Sequence, residues 1–107
     1  MYKTAKSEEI AARIEQGEDL LLIDVREPEE WKIATIEGAQ LLPLSQIETW
    51  WQEVPHDREV VVFCHHGGRS MQVCRALVSQ ANHSNLTNME GGIDRWAERV
   101  DPTLARY

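Results

Sequence analysis

Val60-Val61-Val62-Phe63-Cys64-His65-His66-Gly67-Gly68-Arg69-Ser70 is the stretch on which the fold turns. Its opening apolar run is rich in β-branched residues and too short for most helices. It is also continuous rather than alternating, as in a strand covered on both faces within a parallel sheet. The run reaches a thiol, then a polar loop with two glycines and an arginine. From Ser70 to Gln80 the apolar positions Met71, Val73, Cys74, Ala76, Leu77 and Val78 predict a helix. In open sheets built from such strand-loop-helix units, ligands bind beyond the carboxyl ends of the strands. That places interest on the loop after Phe63.

Outward from this unit the same grammar repeats. Leu20-Leu21-Leu22-Ile23-Asp24-Val25 is a second continuous apolar run, predicting another covered strand. Ala39 to Leu42 and Asn85 to Met89 are weaker strand candidates. Ser7 is a candidate cap for a helix carrying Glu8 and Glu9 in its first turn, an apolar stripe of Ile10, Ala11 and Ile14, and a stop at Gly17. Ser45 caps a predicted helix over Gln46 to Val54 that Pro55 ends, and Ile93 to Val100 forms another after Gly91-Gly92. Strands alternating with helices over short connections predict an open α/β domain with a mostly parallel sheet.

A chain of 107 residues has room for one compact domain, expected to span 1–107. Eleven Lys and Arg against eighteen Asp and Glu give a net charge of −7, which repels phosphate backbones and disfavours nucleic acid as a partner. No apolar run approaches the length of a membrane span, and the opening MYKTAKSEE lacks the apolar core of a signal peptide. Two cysteines make no disulfide framework, so a reduced, cytoplasmic protein without membrane association is expected.

The loop has the parts of an anion cradle. The sulfur nucleophile is the thiolate, which is favoured beside a cation and at a helix N-terminus. Gly67 and Gly68 let successive backbone N–H groups turn inward as a nest, and the first turn after Ser70 adds unpaired N–H groups. Arg69 supplies a permanent charge with planar donors. The expected site is a thiol at the floor of a bowl of amide hydrogens, sized for a sulfur anion or a small tetrahedral dianion. Two blander assignments compete. Cys64 could be inert packing, which the polar, glycine-containing neighbours argue against. A zinc site from Cys64, His65, His66 and Cys74 lacks tetrahedral spacing, so no metal is expected. Cys74, among apolar helix neighbours, reads as core filling, with a resolving cysteine that closes onto Cys64 as the alternative. Trp31, Trp50, Trp51 and Trp96 read mostly as core, with Trp50-Trp51 as an alternative partner surface.

Three stretches together resemble the rhodanese (sulfurtransferase) family. Leu21-Leu22-Ile23-Asp24-Val25-Arg26-Glu27-Pro28-Glu29-Glu30-Trp31, continued by Ile36-Glu37-Gly38-Ala39, is similar to its first signature. Cys64 to Ser70 matches its active-site loop, and Met89-Glu90-Gly91-Gly92-Ile93-Asp94-Arg95-Trp96 its closing signature. The resemblance covers most of the chain. It implies a five-stranded parallel sheet with helices on both faces and a persulfide on Cys64. Where members commonly read Gly-His-Ile-Pro-Gly-Ala, this chain has Ala34-Thr35-Ile36-Glu37-Gly38-Ala39. The tail from Val100 to Tyr107 is similar to rhodanese domains that end adenylyltransferase-sulfurtransferase fusions, which deliver sulfur to carrier proteins.

The implied activity is a thiosulfate sulfurtransferase without a cofactor. Cys64 is the catalytic residue, and His65, His66, Gly67, Gly68, Arg69 and Ser70 bind substrate. Asp24 and Arg26, at the end of the neighbouring strand, are supporting candidates with a structural ion pair as the competing role. Donors are thiosulfate or a protein persulfide; acceptors are cyanide, a thiol or a sulfur-carrier protein. Cysteine phosphatases and arsenate reductases use C-x5-R, whereas Cys64 and Arg69 enclose four residues, a tighter ring that suits sulfur. Those enzymes, and a non-catalytic partner-binding module, are the alternatives.

Overall fold

A computed structural model describes residues 1–107, and its sheet is five-stranded with every pairing parallel. The elements run β1 (Lys3–Lys6), α1 (Ser7–Glu15), β2 (Leu20–Asp24), α2 (Pro28–Trp31), β3 (Gln40–Leu41), α3 (Ile47–Trp50), β4 (Glu59–Phe63), α4 (Gly68–Ala81), β5 (Leu86–Glu90) and α5 (Gly92–Arg99). Across the sheet the order is β1-β5-β4-β2-β3, so β4 is central and its carboxyl end lies between those of β2 and β5.

The continuous apolar run of β4 divides by alternation. Val60, Val62 and Cys64 join a cluster with Ile23, Val25, Trp50, Val73, Cys74 and Leu77 on one face. Val61 and Phe63 join Ile10, Leu22, Met89, Ile93 and Trp96 on the other. With both faces covered, neither set of alternating positions can be polar, which is why the pattern reads as unbroken apolar residues. α3 and α4 supply one cover; α1 and α5 supply the other.

Several local expectations need correction. Ser7 does not cap α1: Lys6 occupies the cap, and the buried Ser7 hydroxyl donates instead to the Gly92 carbonyl at 3.1 Å, tying α1 to α5. The helix expected over Gln46 to Val54 is broken into a 3-10 turn at Leu44–Gln46, the single turn of α3, and a second 3-10 turn at Trp51–Glu53. Trp50 and Trp51 both pack on the same core cluster, and the Trp50 indole N–H donates to the Pro43 carbonyl at 2.8 Å. Adjacent residues of a regular helix point about 100° apart, so docking both indoles on one face favours the broken turns. The Ser45 hydroxyl donates to Glu27, not to a helix end. β1 carries no apolar signal, being a short, mostly exposed edge strand, and its pairing with β5 comes from tertiary context. No helix is long and apolar enough to cross a membrane.

Candidate active site

Cys64 follows the last residue of β4, and the chain then turns sharply into α4. Gly67 makes that turn: its φ of +119° is closed to ordinary side chains, and it caps the helix. The turn directs the Gly67 N–H at Cys64 Sγ at 3.1 Å, and the Ser70 N–H, in the first turn of α4, lies 3.4 Å from the same atom. The Ser70 hydroxyl is 3.5 Å from Sγ and donates to Asn88 Oδ1 on β5. Sulfur thus sits at the positive end of a fourteen-residue helix with two amide hydrogens aimed at it.

The bowl is narrower than expected from sequence. Gly67 and Ser70 alone supply amide donors to Sγ; the other loop amides do not bond it. Cys64 is also only 1% exposed, so the thiol is closed off rather than open at a floor. None of the surface pockets is lined by residues of this loop. One of them, about 250 Å³, lies instead among Ala11, Ile14, Trp96, Val100 and Leu104. The loop thus joins organised donors to a thiol closed off from solvent.

Gly92 buttresses the loop from behind. A Cβ on Gly92 would stand 2.3 Å from the Cys64 carbonyl oxygen and 2.5 Å from that of His65. The Ile93 and Asp94 N–H groups donate to those same carbonyls at 2.9 and 3.0 Å. The start of α5 therefore fixes both peptide units on which the nucleophile candidate hangs.

At the end of β2, Asp24 and Arg26 are both fully buried. Arg26 Nε and Nη2 donate to the Asp24 carboxylate, Nη2 to the Ala34 carbonyl at 2.7 Å, and Nη1 to the Glu30 carbonyl and the Tyr107 hydroxyl. This arginine organises the turn through residues 26 to 34, and its charge is spent on Asp24. The structural ion pair is what the structure shows of these two residues.

Arg69 is likewise engaged. Glu30 accepts from both terminal nitrogens at 2.6 and 2.9 Å, and this guanidinium holds the Glu30 carboxyl down to about 2. The Tyr107 hydroxyl donates to Glu30 at 2.7 Å, and its ring stacks on His65 with centroids 3.9 Å apart. Burial, then the charge of His66, pushes His65 below the usual imidazole range. His66 is exposed, 3.9 Å from Asp94, which also binds Arg106 through two bonds. No cluster of three or more His, Cys, Asp or Glu side chains is arranged to hold a metal ion.

Glu30, Asn88 and Tyr107 are contributors that sequence reasoning did not single out, and Gly92, read there only as part of the turn into the last helix, also braces the Cys64 loop. Asn88 had a signal, a polar residue inside an otherwise covered strand. Glu30 stood in the first signature without a marked partner. Tyr107 reaches its partners 77 and 81 residues away, and nothing local announces it.

Comparison with known proteins bears on the family and the fold. A family model described as Rhodanese-like domain matches residues 6–99. The "Probable adenylyltransferase/sulfurtransferase MoeZ" of Mycobacterium tuberculosis is 38% identical over 106 residues; the match takes in 97% of this chain but only 27% of that protein. A protein named "Sulfurtransferase" in Allochromatium vinosum is 37% identical over 98% of this chain and 97% of its own length. The "Thiosulfate sulfurtransferase GlpE" of Pseudomonas fluorescens is 30% identical over 89% of this chain and 84% of its own. Among solved structures, a rhodanese-related protein of Thermoplasma volcanium superposes with a TM-score of 0.82 at 27% identity, covering 92% of this chain and 94% of that one.

Proposed function

This chain belongs to the rhodanese-like domain family, and from that premise we propose that it transfers sulfane sulfur from thiosulfate or a protein persulfide to a thiophilic acceptor by way of a persulfide on Cys64. The observation that carries this reading is the pair of amide hydrogens from Gly67 and Ser70 on Sγ at the N-terminus of α4. Fixed dipoles aimed at an atom that bears negative charge stabilise it without reorganisation. Residues 1–107 act as one domain, in the cytoplasm, where both free cysteines stay reduced.

The reaction is double displacement through a covalent intermediate. Cys64 thiolate attacks the outer sulfur of thiosulfate; the new S–S bond forms as the S–SO3 bond breaks, and sulfite departs with the electron pair. With a protein persulfide the same attack expels the donor's thiolate. The loop amides then hold the negatively charged outer sulfur of Cys64–S–S⁻. Arg69 meets an oxyanion once it parts from Glu30, and the residues of the loop mouth move aside to admit the donor, since Cys64 is 1% exposed at rest. Cyanide in an assay, or a thiol or sulfur-carrier protein in a cell, removes the sulfur and regenerates the thiolate. The relatives named as sulfurtransferases support sulfur transfer in general, and the thiosulfate enzyme of Pseudomonas fluorescens supports that donor.

The test is loading. Protein incubated with thiosulfate, and separately with a small organic persulfide, gains one sulfur in intact mass, and cyanide releases that sulfur as thiocyanate. Cys64→Ala gains none. Absence of an adduct with either donor, or full transfer by Cys64→Ala, overturns the reading.

A further inference from the structure

Glu30 is fixed by four donors. Its oxygens accept from Arg69 Nη1 and Nη2, from the Tyr107 hydroxyl, and from the Glu27 N–H at 3.1 Å, the last because Glu30 is the third residue of α2 and closes its cap. Tyr107 is itself anchored by Arg26 at 2.8 Å and by stacking on His65 of the Cys64 loop. The resting state of Arg69 is therefore a built bidentate pair and not a free cation waiting for an anion.

Three arginines at this end of the sheet each have a carboxylate partner. Arg26 is paired with Asp24, Arg69 with Glu30 and Arg106 with Asp94. Thiosulfate brings two negative charges toward a thiolate, with no arginine among these three left unpaired to receive them, on a protein of net charge −7. It must either displace Glu30 from Arg69 or sit beside that carboxylate. A persulfide donor, R–S–SH, faces no such demand: attack on its outer sulfur forms the Cys64 persulfide and expels R–S⁻, with no sulfonate to be housed.

Resting on the sulfur-transfer reading above, we propose that Glu30, held in place by Tyr107, is a specificity-determining residue that turns the site away from small dianionic donors and toward persulfides. It acts by occupying Arg69, so it positions a binding group and does not touch the reacting sulfur.

The experiment compares thiosulfate with 2-hydroxyethyl persulfide as donors for wild type, Glu30→Gln and Tyr107→Phe at low ionic strength, reading Cys64 loading and the KM and kcat of each donor. Removing the carboxylate charge lowers the KM for thiosulfate by about tenfold with kcat within about twofold, and changes the KM for the persulfide by less than about twofold. Tyr107→Phe keeps the ring on His65 and removes the hydroxyl, and lowers the thiosulfate KM by about two- to threefold. Thermal unfolding checks that the variants fold, and should Glu30→Gln fail, Tyr107→Phe decides alone. An unchanged or raised thiosulfate KM in the folded variants overturns the proposal, as does an equal change for both donors. If wild type loads from neither donor, the sulfur-transfer reading falls and this proposal with it. Loading from both with no shift between variants removes this proposal only.

Discussion

Cys64 and Cys74 are both sealed from solvent, at 1% and 0% exposed, and both belong to the apolar cluster between the sheet and α4. Burial does not distinguish them; their neighbours do. Cys64 stands where a strand ends and a helix begins, so two amide hydrogens and a hydroxyl meet its sulfur. Cys74 lies inside α4, where backbone N–H groups are already used within the helix, and burial pushes its thiol up to about 12. The comparison teaches that the end of an element, where backbone groups lack partners, gives a buried sulfur polar company that the middle of an element cannot.

The sharpest way to break this contrast is to exchange the two roles. Cys64→Ala is expected to lower sulfur transfer by about a thousandfold or more, as removal of a covalent nucleophile does. Cys74→Ala is expected to leave transfer within about threefold while costing roughly 1–2 kcal/mol of stability, through the small cavity it opens. Cyanide-dependent thiocyanate release and chemical denaturation read the two quantities. Equal losses of transfer in both variants would dissolve the distinction.

A second break attacks the support of Cys64 alone. Gly92→Ala places a methyl group 2.3 Å from the Cys64 carbonyl oxygen at a φ of +58°, against backbone that cannot rotate away. The expected cost is roughly 3 kcal/mol, from strain at positive φ and overpacking together. Persulfide loading should fall with it, because the Ile93 and Asp94 N–H bonds to the loop carbonyls are displaced. A variant of unchanged melting temperature and loading would show that α5 does not hold the loop.

How much of this was legible in the sequence follows from the range of the interactions. The central strands β2 and β4 announced themselves because both faces are covered, and the Cys64 loop because glycines and charge interrupt an apolar frame. β1 gave no signal, since an exposed edge strand needs no apolar residues of its own. The broken segment at Leu44 to Glu53 was misread because the docking of Trp50 and Trp51 on one cluster overrides helix continuity. Within the site, Cys64 and Ser70 were readable from local geometry at a helix start. The engagement of Arg69 by Glu30 across 39 residues was not, because residue types show which charges exist and not which of them meet.

Ser70 sharpens the comparison at smaller scale. Its hydroxyl donates to Asn88 and also lies 3.5 Å from the Cys64 sulfur, so Ser70→Ala leaves the Asn88 oxygen without this donor. That is expected to cost about 1–3 kcal/mol. Because its backbone N–H remains on sulfur, loading should slow by about tenfold only, below the hundredfold or more typical of a lost oxyanion donor. Stopped-time mass measurement of the adduct distinguishes the two; a hundredfold loss would make the hydroxyl, not the amides, the principal partner of the sulfur.

The mildest test belongs to Cys74 and uses alkali. An unfolded thiol ionises near 9, whereas burial holds the folded Cys74 proton to about 12. Between those values the unfolded chain has released a proton that the folded chain keeps, so stability is intact below about 9 and declines as pH rises toward 12. The slope from one such group is about 1.4 kcal/mol per pH unit at most. Tyr107, raised by burial from 10 to about 12, adds a decline in the same direction over the upper part of the range. Cys74→Ala removes the first contribution and retains the second, so in urea titrations the advantage of wild type over the variant should shrink above about pH 9, close at about pH 10 to 10.5 and reverse by about pH 11. A constant gap would mean that Cys74 ionises within the folded protein. The helix interior would then be stabilising a thiolate after all, and the separation between the two sulfurs would rest on access alone.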